Sequence, residues 1–120
     1  MIQGGDMIDL HIHTTFSDGT DRLIDILTKS QELNLKYISI TDHNNCKAYE
    51  ELSNIDINKY YSGKIIPGIE IKACYNGKLI DILGYKIDTI KMQNWIDEFY
   101  KDKSHEHVEQ KYFDILYDRC

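Results

Sequence analysis

From Ile8 to His13 apolar and polar residues alternate, with Ile8, Leu10 and Ile12 on one side and Asp9, His11 and His13 on the other. Successive side chains of a strand point to opposite faces, so this period of two predicts a strand with one aliphatic face. Residues 14–20 hold a Ser-Asp-Gly turn and read as a loop. Leu23, Ile26, Leu27 and Leu33 then recur at helical spacing, predicting a helix over about 21–34 that Thr20 or Asp21 can cap. Residues 37–41 form a second short apolar run, ending in Asp42-His43, and residues 47–52 have a helical pattern. Residues 55–62 fit no single period. Residues 64–75 and 78–87 read as two strands joined by Asn76-Gly77, a pair suited to the positive φ angles of a two-residue hairpin turn. From Met92 onward the spacing is helical again, through Trp95, Ile96 and Phe99 and then Val108, Tyr112, Ile115 and Leu116. The polar stretch 101–110 between them is either a solvated helix or a break. This order of elements predicts an α/β fold, with parallel strands at about 8–13 and 37–41 linked by the first helix.

The chain has 120 residues, enough for one domain, 1–120. Within it, residues 8–87 carry the candidate chemistry and 88–120 form a helical segment. An apolar share of 42% and a charged share of 28% suit a soluble globular protein. No window approaches the ~18 apolar residues of a membrane span, and the first ten residues lack the basic start of a secretory signal, so a cytoplasmic location is expected. A net charge of −6 argues against a duplex-DNA-binding surface. It leaves room for an anionic substrate, because bound metal ions invert the local field. The cysteines, Cys46, Cys74 and Cys120, fit neither a disulfide framework nor a Cys-x-x-Cys zinc site by number and spacing, and reduced thiols are expected.

His11 and His13 lie two apart on the predicted strand, so both imidazoles project from one face, shared with Asp9. Neutral imidazoles beside carboxylates are what a transition metal needs; the alternative is the solvated face of a half-buried strand. Asp18 leaves the end of that strand, as a turn former or as a carboxylate folded back over it. Asp42 and His43 stand at the end of the second strand, where sites assemble in parallel α/β folds; Asp42 could equally cap the next helix. A two-residue turn at Asn76-Gly77 pairs Lys72 with Asp81 and Glu70 with Leu83, placing Glu70 and Asp81 as diagonal neighbours on one face. Those two carboxylates could share a metal, or Lys72 and Asp81 could form a plain surface ion pair.

As a set, Asp9-Leu10-His11-Ile12-His13-Thr14, Ser17-Asp18-Gly19, Thr41-Asp42-His43-Asn44, Pro67-Gly68-Ile69-Glu70 and Ile80-Asp81-Ile82-Leu83-Gly84-Tyr85 resemble the opening motifs of the PHP (polymerase and histidinol phosphatase) family. The likeness covers about 8–87 and is strongest to the small stand-alone bacterial phosphoesterases. It implies a distorted (βα)7 barrel with up to three divalent metals at the carboxyl ends of its strands. By motif, His11 and His13 would ligate one metal, Glu70 would bridge two, Asp18 and His43 would hold further positions, and Asp42 and Asp9 would support the ligands.

Two departures accompany the resemblance. Asp81 stands where the family usually has histidine; an oxygen ligand favours Mn2+, with Mg2+, Zn2+ or Fe2+ as alternatives. The chain also matches only the N-terminal half of the barrel, so it is expected to be either truncated or completed by self-association, as a homo-oligomer. His105 and His107 are the later candidates, but positions two apart on a helix cannot share a metal, and solvated histidines are the better reading. The expected function is hydrolysis of phosphate esters, on a small phosphorylated substrate or a nucleic-acid end, by water activated by one to three divalent metals. A non-catalytic or regulatory metal-binding module and a histidinol-phosphate phosphatase are the alternatives. The latter is weakened by Ser17-Asp18-Gly19, where that branch usually has another histidine.

Overall fold

The computed structural model describes residues 5–101. His105, His107 and the apolar run 112–116 lie outside the described residues. The elements are β1 (Ile8–Ile12), α1 (Leu23–Glu32), β2 (Tyr37–Ile40), α2 (Lys47–Leu52), a 3-10 turn (Ile57–Lys59), β3 (Lys64–Ile65), β4 (Gly68–Tyr75), β5 (Lys78–Tyr85) and α3 (Thr89–Tyr100). β1, β2 and β3 form a parallel sheet in that order, and β4 and β5 form an antiparallel hairpin. The expected α/β class and the parallel pairing of β1 with β2 are therefore present. No helix among the described residues is long and apolar enough to cross a membrane.

The core lies between the sheet and its helices. Ile38 and Ile40 of β2 are fully buried against Leu23 and Leu27 of α1, Ala48 and Leu52 of α2, and Tyr61. Tyr61 can be buried because its hydroxyl donates to the Leu35 carbonyl at 2.9 Å. A smaller cluster of Cys46, Ile69 and Ile96 ties α3 to the hairpin. Thr20 and Asp21 do not cap α1: the N-cap is Arg22, without a side-chain bond, and the Asp21 carboxylate instead meets Lys29 Nζ at 2.8 Å. Leu33, expected on the buried face of α1, is the C-cap residue and is 60% exposed, because the helix stops at Glu32. α3 starts at Thr89, capped by the Asp88 side chain accepting from the Lys91 amide, earlier than the apolar spacing from Met92 indicated.

The single strand expected over 64–75 is interrupted. β3 follows β2 through bonds from Lys64 N to Lys36 O and Ile66 N to Ile38 O. Gly68 N, the next donor in that alternating series, goes to the Tyr49 hydroxyl instead of Ile40 O, so the ladder lapses there; Pro67, whose carbonyl accepts from Lys86 N, faces away from β2. Pairing resumes where Glu70 N donates to Asp42 O and Asn44 N donates to Glu70 O. The Tyr49 hydroxyl fills the gap, accepting from Ile40 N at 3.1 Å and Gly68 N at 3.0 Å and lying 2.7 Å from Ile40 O. Gly68 is required at this crossing, since a Cβ there would come within 2.4 Å of Ser39 Oγ. Cys46 is a buried free thiol.

Candidate metal centre

Three chain segments converge at the carboxyl ends of β1 and β2. His11 lies in β1 and His13 just beyond it, on the same face, with ring centroids 5.1 Å apart. His43 follows β2, and its ring lies 4.4 Å from that of His13. Glu70 enters from β4, held beside His43 by the backbone bridge that resumes the ladder.

The Glu70 side chain is 8% exposed, and its Oε1 lies 3.1 Å from His11 Nε2, 2.8 Å from His13 Nε2 and 3.5 Å from His43 Nε2. On the other side, His13 Nδ1 lies 2.6 Å from Asp18 Oδ1, and His43 Nε2 lies 3.4 Å from Asp18 Oδ2. Hydrogen bonding to His13, opposed by burial and aided by the nearby imidazoles, holds the Asp18 carboxyl below its usual range.

The loop that carries Asp18 is built on Asp42. That carboxylate is 1% exposed. It accepts from Thr14 N at 2.7 Å, Thr14 Oγ1 at 2.7 Å and Ser17 Oγ at 2.6 Å. Asp42 thus holds the loop rather than an imidazole. Asn45 adds a bond from its Nδ2 to Phe16 O at 3.0 Å. Gly19 returns so close to the strand end that a Cβ there would come within 2.2 Å of His13 O. Asp9 accepts from the His11 amide at 3.2 Å and supports that backbone from outside the cluster. The hairpin register is the one a two-residue turn dictates, pairing Tyr75 with Lys78, Lys72 with Asp81 and Glu70 with Leu83. Asp81 pairs with Lys72 Nζ at 3.0 Å and also stands beside Glu70 and His43.

The donor atoms fall into overlapping groups, His11–His13–Glu70, His13–Asp18–His43 and His43–Glu70–Asp81, each with ligand atoms within 4.8 Å of one another. Ligands about 2.1 Å from one ion sit about 3.0–3.4 Å from each other in octahedral or tetrahedral geometry. The separations around Glu70 Oε1 are of that size. His43 Nδ1 is buried without a hydrogen-bond partner, a state that costs about 1–3 kcal/mol, and His13 Nε2 lies 2.8 Å from Glu70 Oε1 without hydrogen-bond geometry. With its proton on Nδ1, His13 donates to Asp18 and turns the bare lone pair of Nε2 into the cluster, the usual arrangement of a ligating histidine. Histidine and carboxylate donors in this geometry fit a divalent transition metal. A thiol nucleophile is not available here, since burial, aided by the Asp42 charge, pushes the Cys46 thiol up to about 11.

Reasoning from the sequence brought His11, His13, Asp18, His43, Glu70 and Asp81 to this place. It missed Thr14 and Ser17 as the partners of Asp42, and Asn44, whose Oδ1 accepts from Lys72 N at 3.2 Å. Hydroxyl and amide residues next to predicted ligands at strand ends were the available signal.

The sequence model described as PHP domain matches residues 9–118. A protein of Thermotoga maritima named as a histidinol-phosphatase is 36% identical over 56 residues, 46% of this chain and 24% of that protein. The 5′-3′ exoribonuclease Rnm of Salmonella typhimurium is 33% identical over 84 residues, 67% of this chain and 27% of that protein. The aligned part is thus about a quarter of the length of these relatives. Among solved structures, one described as a metal-dependent phosphoesterase of Bifidobacterium adolescentis superposes with a TM-score of 0.62 at 22% identity, covering 92% of this chain and 33% of the other. An amidohydrolase of Chromobacterium violaceum, with bound sulfate and no metal, gives a TM-score of 0.65 at 18% identity over 80% of this chain and 34% of the other. The fold is shared with both, and this chain covers 33% and 34% of their lengths.

Proposed function

Because the chain belongs to the PHP domain family, we propose that it is a metal-dependent phosphoesterase whose ions are held by His11, His13, Asp18, His43 and Glu70, with Asp81 at the rim. The observation that carries this reading is Glu70 Oε1, buried and faced by the Nε2 atoms of His11, His13 and His43 at 3.1, 2.8 and 3.5 Å. A lone carboxylate oxygen cannot satisfy all of these nitrogens, whereas an ion shared with them can.

Bound divalent ions would supply a more acidic water and would neutralise charge on the phosphoryl oxygens. The chain's own residues set the stage. Asp42 fixes the loop from Thr14 to Ser17 and so the position of Asp18. Asp18 fixes the tautomer and rotation of His13. The bridge between His43 and Glu70 fixes the spacing of those ligands. The half-exposed His11 leaves one side of the cluster open to an entering ester.

The mixture of imidazole and carboxylate favours Mn2+, with Zn2+, Fe2+ and Mg2+ as rivals. The substrate class is a small phosphorylated metabolite or a nucleic-acid end, in keeping with relatives named as histidinol-phosphatase and exoribonuclease. A cytoplasmic bacterial setting, and self-association to complete the barrel, belong to the same proposal. The test is hydrolysis of p-nitrophenyl phosphate and bis(p-nitrophenyl) phosphate with Mn2+, with and without a chelator, alongside the oligomeric state. Metal-dependent turnover abolished by chelation and by Glu70→Gln is expected. Turnover unchanged by either would overturn the reading.

A further inference from the structure

Asp81 stands between the Lys72 ammonium and a group of candidate metal ligands. Lys72 faces it directly across the hairpin, with Nζ 3.0 Å from Asp81 Oδ1. Asp81 also shares a group with His43 and Glu70, whose ligand atoms all lie within 4.8 Å of one another. Any divalent ion drawn to that group competes with the ammonium for one carboxylate. Among the described residues, Lys72 is the one Lys or Arg ion-paired with a member of the candidate ligand groups. Its backbone is tied to the same corner, since its amide donates to Asn44 Oδ1 and the Asn44 amide donates to Glu70 O. Both side chains are about one-third exposed, at 35% for Lys72 and 37% for Asp81, so solvent only partly screens the pair.

Charge balance indicates the outcome of that competition. The candidate ligands include the carboxylates Asp18, Glu70 and Asp81. Set against the Lys72 ammonium, they leave a deficit that one divalent ion fills. A further ion at Asp81 would sit within a few ångströms of the ammonium, and like charges at that distance repel strongly outside bulk water. We infer that Lys72 is the protein's own cation at the Asp81 corner: it keeps a divalent ion out of the His43–Glu70–Asp81 group and confines metal to the groups built on His13. Lys72 thereby sets how many ions the site holds. This rests on the metal reading of the site.

The experiment is equilibrium dialysis of the full chain against Mn2+, with circular dichroism to confirm folding. Lys72→Met is expected to gain one ion per chain, or to tighten the weakest ion at least tenfold. Lys72→Arg, which keeps the charge, should bind as the parent does. Lys72→Met with Asp81→Asn should lose the gain. If Lys72→Met and the parent give the same isotherm, the inference is overturned while the metal reading stands. If no protein binds Mn2+, the metal reading fails and this inference fails with it.

Discussion

The hydroxyl of Tyr49 lies 3.0 Å from the amide nitrogen of Gly68, so a side chain from α2 takes the place of a strand residue in the sheet. The same oxygen accepts from Ile40 N and lies within hydrogen-bonding distance of the Ile40 and Ile66 carbonyls. β4 can leave the line of the ladder at Gly68 and still place Glu70 beside His43 because this one hydroxyl satisfies backbone groups on both sides of the break. Tyr49→Phe keeps the ring and deletes the oxygen, stranding buried amides at a cost of about 2–4 kcal/mol. Urea unfolding should show that loss of stability with an unchanged m-value.

Asp42→Asn tests whether the Asp18 loop depends on its buried anchor. The asparagine keeps one acceptor oxygen but loses the charge and puts an amide where Asp42 Oδ2 receives the Thr14 hydroxyl. Folding stability should fall by about 1–3 kcal/mol. Mn2+ affinity should fall about 10- to 100-fold, although no candidate ligand has been removed. Calorimetric titration reads the affinity, and unchanged binding would show that Asp42 acts on the fold alone.

The parts of this molecule that were legible in advance are those governed by local rules. Strand alternation placed His11 and His13 on one face, and Asn76-Gly77 dictated the pairing of Lys72 with Asp81 down to the residue. The interruption at Gly68 was less legible. Its amide leaves the ladder for the Tyr49 hydroxyl, which depends on α2 packing across the sheet, and no local period encodes that. Leu33 misled for a related reason: it follows the apolar spacing of α1, but the helix ends at Glu32 and leaves it outside. The candidate ligands were recognisable as residue types at strand ends. Their common meeting point, Glu70 Oε1, depends on tertiary register between segments nearly 60 residues apart, as with His11 and Glu70.

The Cys46 thiol gives a pH dependence with a definite sign. Burial first, and the Asp42 charge second, raise it from an ordinary value of 9.0 to about 11 in the folded chain. Between those values the folded state holds a proton that the unfolded state has released, so the contribution is complete below pH 9 and is lost as pH rises towards 11. The full loss is about 2–3 kcal/mol. Denaturant midpoints from pH 8 to 11 should decline more steeply in the parent than in Cys46→Ala. Maleimide labelling of Cys46 at pH 8 should be slow until denaturant is added.

His13→Ala separates a site built for metal from a cluster that merely holds the fold. His13 belongs to the group with His11 and Glu70 and also to the group with Asp18 and His43, so its removal damages both, whereas His11→Ala damages one. Mn2+ affinity should therefore fall by more than tenfold in His13→Ala, and by less in His11→Ala. Stability should move the other way. In metal-free protein, the His13 Nε2 atom is buried without a hydrogen-bond partner. Deleting a buried polar atom that lacks a hydrogen bond relieves about 1–3 kcal/mol, offset by the packing lost with the ring and by the lost bond from His13 Nδ1 to Asp18. Chelator-treated His13→Ala should thus unfold within about 1 kcal/mol of the parent. With saturating Mn2+, the parent should gain more stability than His13→Ala through mass action. Urea titrations with and without Mn2+ resolve the two effects. A large loss of stability in metal-free His13→Ala would mean that the imidazole is held by the fold for structural reasons.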